Sequence, residues 1–421
     1  MKFEVLKKSH LKRNIIVGVV VVAVIAAIVL NFTRAKYRTT QSMPLINGTV
    51  NYSLADLNAV AVYIQDESAT DGYAKTDTIP TSGYAFNEEM SYCTIDGEED
   101  PSITLSYNMD TQMLTVTPLT TKGTKCYLYF DEASGATDII EGLYPDNQDM
   151  LAYDEAGNLR YIGADPNNYV YFNCRDYTNP SNSTCELWRI IGVFSEDTHG
   201  LSGQKLIKLI RSESLGNIAW NSANTNDWST ASLQTTLNGD YLNGNGTYAS
   251  TGIKNDTTRN MIETVTWKLG GAARYTSASN GLARHFYGYE RGTTVYSGRP
   301  TTWSVKVALM YPSDYGYATS GGSTTNREAC LAKELNNWNS SSFSDCKNND
   351  WLYDSSTTQW TLTPNSSDSG YVFYVYRTGY VNGSPDRAGS SRGVRPSVYL
   401  TSNVKISGGD GTANNAYTLE A

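Results

Sequence analysis

An unbroken apolar run, Ile15 to Leu30, sets the terms for the whole chain. It is preceded by Lys2, Lys7, Lys8, Lys12 and Arg13 and followed by Arg34, Lys36 and Arg38. Extended by Asn31 and Phe32, the run approaches the roughly 20 apolar residues that span a bilayer. The more basic flank stays in the cytoplasm, so everything after residue 38 is exported. The expectation is an N-terminal transmembrane helix over residues 15–32, single-pass in the cell membrane, with the C-terminal region outside. Thr33-Arg34-Ala35 gives a weak small-x-small site after Ala35, so a cleaved signal and a retained anchor both fit, and the anchor is preferred.

Export decides how charge and cysteine are read. Residues 1–38 carry eight of the 33 Lys/Arg and one of the 42 Asp/Glu. The rest of the chain therefore has 25 basic against 41 acidic side chains, a formal net charge of −16. Such a surface repels phosphate backbones, which excludes nucleic acid as a partner. Six cysteines fall in three close-spaced groups, Cys93 with Cys126, Cys174 with Cys185 and Cys330 with Cys346. An even count outside the cytoplasm favours disulfides, and local pairing is the simplest connectivity. No spacing is the CxxC of a zinc or redox site. Charged residues are few at 18% while Tyr reaches 31, which suits an extracellular β-rich protein better than a cytosolic enzyme.

Short strand signals recur at Gly48–Tyr52, Ala59–Gln65, Met90–Ile95, Ser102–Tyr107, Met113–Pro118 and Lys125–Asp131, separated by turns such as Asp96-Gly97. Their spacing suggests an antiparallel sandwich serving as a stalk over residues 39–135. An acidic, less periodic passage follows as a linker, 136–154. Beyond it the pattern changes to strong strands at Tyr169–Asn173, Glu186–Phe194 and Lys205–Arg211, with short helical signals after Ser229 and Asp256. The chain closes on Tyr371 to Tyr376, a loop of Gly, Ser, Asn, Arg and Tyr, and a final strand from Val394 to Leu400. Tyr offers rigid contact area and Ser, Gly and Asn adaptable hydrogen bonds, so the loop between the strands reads as a recognition surface.

The order of landmarks then carries a resemblance. Trp188-Arg189-Ile190-Ile191-Gly192-Val193, Lys205 to Arg211, Trp220 with Ser232-Leu233 and Leu237-Asn238, Val307 to Tyr315, Trp360-Thr361-Leu362 and Gly393-Val394-Arg395-Pro396-Ser397 resemble a family of bacterial surface domains of gut Firmicutes that end in a Gly-Val-Arg-Pro strand. That family is similar to the C-type-lectin-like fold shared with formylglycine-generating enzymes and with the variable proteins of diversity-generating retroelements. The resemblance spans residues 155–405. It implies a ligand-facing surface between Tyr376 and Arg392, a segment that lacks Lys, Glu, Gln, Met and Trp, the residues that adenine mutagenesis of Asn codons cannot create. The ligand-binding residues expected are Tyr374, Tyr376, Arg377, Thr378, Tyr380, Asn382, Ser384, Asp386, Arg387, Ser390, Ser391 and Arg392. The calcium tripeptides of sugar-binding C-type lectins are missing; Asn348-Asn349-Asp350-Trp351 is the nearest oxygen-rich cluster and reads as a polar turn.

Catalysis finds little support. The exported part has two histidines: His199 reads as part of a solvated turn and His285 as a partly buried, satisfied side chain. Asp314, Glu328, Asp345 and Asp350 show no spacing that pairs two carboxylates for glycosidase work, and read as solubilising charges. Cys330 and Cys346 read as a structural pair rather than a reactive one. Arg395 could bind a ligand carboxylate, though a structural role beneath the loop is preferred. The expected fold class is α+β, a C-type-lectin-like domain (155–421) after an all-β immunoglobulin-like sandwich (39–135), with an N-terminal transmembrane helix in a cytoplasmic stub and anchor (1–38). The expected function is cell-surface binding of an external protein or glycan, without enzymatic activity, metal or cofactor. A structural or fibre-forming surface component, and a formylglycine-type or hydrolytic enzyme, are the alternatives.

Overall fold

The structure is a computed structural model that describes residues 60–420, apart from 67, 81–83, 109–112, 118–123, 133–134 and 274–280. The expected membrane span at 15–32 and the stalk's first strand at Gly48–Tyr52 lie outside the described residues. The chain divides into two compact units, 1–132 and 133–421.

The first unit contains β1 (Val60–Gln65), β2 (Tyr73–Thr76), β3 (Tyr84–Ile95), β4 (Glu98–Glu99), β5 (Thr104–Asn108), β6 (Met113–Thr117) and β7 (Thr124–Glu132). Five of these form one sheet in the order β2-β1-β7-β3-β4, and β5 and β6 form a separate hairpin. Strand β7 shows why it folds this way: Cys126, Leu128 and Phe130 alternate inward while Tyr127, Tyr129 and Asp131 take the other face. The inward set packs with Val62, Cys93, Ile103, Leu105 and Leu114 in a small core. The opposite face carries paired tyrosines. Tyr63 stacks on its cross-strand partner Tyr129 at 4.9 Å between centroids, and Tyr92 on Tyr127 at 4.8 Å.

The expected fold class is corrected by these observations. The sheets expected there were antiparallel, whereas β1 pairs with β7 in parallel within a mixed five-stranded sheet, with β5 and β6 apart as a two-stranded one. The expected transmembrane helix finds no support either: the longest uninterrupted α-helix described, Ala283–Arg291, has nine residues, about 14 Å at the α-helical rise. No helix among the described residues is long and apolar enough to cross a membrane. What the chain forms is a mixed, sheet-rich fold with three disulfides.

In the second unit the strands are β8 (Leu151–Tyr153), β9 (Leu159–Tyr161), β10 (Tyr169–Phe172), β11 (Glu186–Phe194), β12 (Leu206–Arg211), β13 (Asn217–Ala219), β14 (Val265–Lys268), β15 (Thr302–Val305), β16 (Val307–Leu309), β17 (Gln359–Pro364), β18 (Val372–Val375), β19 (Val381–Asn382), β20 (Ser391–Gly393), β21 (Pro396–Tyr399), β22 (Lys405–Gly408) and β23 (Thr418–Glu420). The main sheet runs β16-β21-β12-β11-β9-β8, with β10 also on β11. A second sheet runs β13-β20-β17-β18-β19. Strands β16, β17, β18 and β21 are buried along their whole length, which is why none of them carries a charged residue. The passage 136–154 belongs to this unit. Its helix Ala136–Gly142 buries Ala136 and Ile140 in the main core, and the Ala136 amide donates to the Val404 carbonyl at 3.0 Å.

Gly192 marks the tightest approach in the main sheet. The β11–β12 register slips between Ile190 and Gly192, and a Cβ added at 192 would lie 2.1 Å from the Leu159 carbonyl oxygen. That oxygen belongs to the neighbouring strand's backbone and cannot step aside alone. Gly192→Ala is therefore expected to lower stability by about 2 kcal/mol or more, read as a fall of several degrees in the melting temperature.

All six cysteines are paired as their spacing suggests: Cys93–Cys126, Cys174–Cys185 and Cys330–Cys346. No thiol is left for a reactive role.

Candidate functional site

The expected recognition residues divide by exposure. Arg377, Thr378, Arg387 and Ser391 are exposed, and Tyr376, Tyr380, Asn382, Asp386, Ser390 and Arg392 are half-buried. Tyr374 and Ser384 are buried, with the Tyr374 hydroxyl donating to the Ser384 carbonyl at 3.0 Å. Arg392 is held in a two-pronged pair by Asp386, at 2.8 and 2.7 Å. Arg387 lies over the Tyr371 ring at 4.8 Å, and Tyr376 and Tyr380 pack ring to ring at 5.0 Å. The segment is stitched to its surroundings: the Gly389 amide donates to Asn224 Oδ1 and the Tyr315 hydroxyl to the Gly379 carbonyl.

Beside this segment, and in contact with it, is a pocket of about 780 Å³. Its floor comes from the same end of three neighbouring strands. Arg189 sits in β11, Arg211 closes β12, and Arg395 immediately precedes β21. Arg189 is paired with Ile210, and Ile210 with Ser397, two residues on from Arg395. Strand alternation thus puts Arg189 and Arg395 on one face. The wall opposite is Trp351, Tyr353 and Asp354. The Tyr353 hydroxyl donates to the Arg377 carbonyl at 3.0 Å, joining the pocket to the exposed part of the recognition loop.

The three arginines differ in how they are satisfied. Arg211 pairs with Glu186 at 2.9 Å. Arg189 is sandwiched between Tyr169 and Trp351, 4.1 and 4.7 Å from their ring centroids, and its Nη2 pairs with the exposed Asp165 at 3.0 Å. Arg395 is buried; its Nε donates to the Arg211 carbonyl at 2.8 Å and its Nη1 to Gln359 Oε1 at 3.4 Å. Burial, together with the neighbouring Arg189 charge, pulls the Arg395 guanidinium down to about 10. It remains a cation at neutral pH. Only Arg395 of these groups stands out in the sequence. The signal for the others is a single Arg inside or closing each of two apolar strands, Trp-Arg-Ile-Ile and Leu-Ile-Lys-Leu-Ile-Arg.

A second charged cluster is sealed in the core. Arg160 donates to Asp154 through Nε and to Asp314 through Nη1, each at 2.8 Å, and Lys208 reaches Asp314 at 2.5 Å. The Asp314 carboxylate also accepts from the Tyr311 amide at 2.8 Å. All four side chains are at most 1% exposed. Although burial works against it, Lys208 and Arg160 keep the Asp314 carboxyl below its ordinary range, while burial lowers Lys208 to about 8. Two cations and two anions balance in a buried site, which serves architecture rather than chemistry on a ligand. Asp314 is thus no solubilising charge. Asp350 is not one either.

Asp350 is buried, accepts from the Leu352 amide at 2.9 Å through Oδ1, and its Oδ2 has no partner among the described residues. Burial raises its carboxyl well above the ordinary range. A raised folded-state value contributes stability that is complete below the unfolded value, near pH 4, and is lost as pH rises toward the folded one. The expected loss is about 1.4 kcal/mol per pH unit across that window. Asp350→Asn removes this dependence, so the variant is expected to melt higher than the parent at pH 7 and to converge with it near pH 4. A melting series from pH 4 to 8 reads the difference directly.

His199 is buried rather than in a solvated turn. Its Nδ1 accepts from the Leu201 amide and its Nε2 faces the Phe194 carbonyl, both at 3.2 Å, so the proton resides on Nε2. Among the described residues no three His, Cys, Asp or Glu side chains converge in a way that could hold a metal ion. Compared with protein-family models, curated proteins and solved structures, the chain finds no match.

Proposed function

We propose that this is an exported bacterial cell-surface protein that recognises an external protein or glycan non-covalently, through the pocket over Arg395 and the adjoining exposed residues of the 376–392 segment. The observation that carries the reading is the pocket: rigid strand ends present arginines beside Trp351 and Tyr353, the residue types that dominate binding hot spots. Its volume falls in the range of ligand sites. Three disulfides support life outside the reducing cytoplasm. The test is binding of the full chain to an array of glycans and of host and bacterial surface proteins. Saturable binding to a defined set of spots is the expected result; an array with no saturable spot would count against recognition.

A further inference from the structure

The recognition reading leaves the ligand's chemistry open, and Arg395 narrows it. The Arg395 side chain is 7% exposed. Its two hydrogen bonds use Nε and Nη1, and among the described residues Nη2 has no hydrogen-bond partner and the guanidinium no ion pair. Removing an ion from water costs several kcal/mol unless a counter-charge is supplied. Here the strongest charge acting on it is another cation, Arg189, while Asp354 and Glu213 act in the opposite sense without pairing to it. Arg395 lines the pocket, and the edge of its planar guanidinium that carries Nη2 is unused. A carboxylate matches that edge in shape and charge.

The same lining limits what the anion can be. Glu213 and Asp354 also border the pocket, without pairing to Arg395. Two rim carboxylates repel a dianion such as phosphate, but each accepts hydrogen bonds from hydroxyl groups. Asp354 already receives the Ser356 amide and hydroxyl through Oδ1, leaving Oδ2 for a ligand. Tyr353 is half-buried and offers an aromatic surface. One carboxylate, several hydroxyls and an apolar ring face describe a sugar acid.

Building on the recognition reading, we propose that the pocket binds a carboxylate-bearing sugar residue, of the uronic or sialic acid type. Arg395 meets the carboxylate, Glu213 and Asp354 accept from ring hydroxyls, and Tyr353 lies against the ring.

The test is a titration of the full chain with glucuronate, N-acetylneuraminate, glucose and inorganic sulfate, followed by calorimetry and by tryptophan fluorescence, since Trp351 borders the pocket. At least one acidic sugar is expected to saturate, with glucose at least tenfold weaker and sulfate unable to compete. Arg395→Gln is expected to weaken the acidic sugar at least tenfold. Because Arg395 also holds the Arg211 carbonyl, Tyr353→Ser is the second variant. It is expected to weaken binding several-fold while the chain stays folded, with a melting temperature only a few degrees lower for the lost ring packing and the lost bond to the Arg377 carbonyl. Equal binding of glucose, competition by sulfate, or no binding of either acidic sugar overturns the sugar-acid assignment. If an array ligand is nonetheless lost in Tyr353→Ser, the recognition reading stands without it; if no array ligand exists, both fall.

Discussion

Asp314→Asn is expected to destabilise the second unit by about 3–5 kcal/mol, the range for stripping one partner from a buried ion pair. The substitution leaves Lys208 with no counter-charge and Arg160 with only Asp154, at sites at most 1% exposed. At about 2–4 °C per kcal/mol for a unit of this size, the melting temperature falls by roughly 10 °C. Lys208→Met placed in the Asp314→Asn background restores part of the loss, because the isolated buried ammonium is what hurts most. A double-mutant cycle on the two positions measures that coupling. The cluster also sets an acid limit. The Asp314 carboxyl is held below its ordinary range, so its stabilisation is present above the unfolded value, near pH 4, and is lost as pH falls through the folded one.

Opening Cys93–Cys126 with the double change Cys93→Ser and Cys126→Ser is expected to cost the first unit about 3–4 kcal/mol. The bridge spans 33 residues, and the loop-entropy relation gives that value for a closure of such length. The same relation gives roughly 3 kcal/mol for the 16- and 11-residue separations of the other two bridges. The first unit is the more sensitive because its core is small, eight buried residues among those described, both cysteines included. Separate melting transitions of the two units under reducing conditions check this. The lower transition is expected to be the one abolished first, and equal sensitivity of both transitions would refute the ranking.

Local pattern carried much of this architecture. Strand β7 announces itself because Cys126, Leu128 and Phe130 alternate with tyrosines, and the three disulfides follow from the close spacing of an even number of cysteines. Strand direction did not follow, since an alternating run reads the same whether its neighbour is parallel or antiparallel. The β1–β7 pairing is therefore invisible until β1 and β7 are seen side by side. Partners distant in sequence were equally hidden. Asp314 meets Arg160 and Lys208 across 154 and 106 residues, and nothing around Tyr-Pro-Ser-Asp-Tyr signals that both cations wait there. Arg395 was legible as a guanidinium that could take a carboxylate. That it lacks an ion-pair partner, and faces a pocket with Arg189 and Tyr353, depends on three strands and a loop arriving together.

The measurement that bears most directly on recognition through this pocket is the affinity of the full chain for its array ligand in two folded variants. One carries Tyr353→Ser with Glu213→Ala in the pocket, and the other Arg387→Ala with Ser391→Ala on the exposed segment. A loss of at least tenfold in the pocket variant, with a smaller effect in the other, is the predicted result. An unchanged affinity in the folded pocket variant would contradict it.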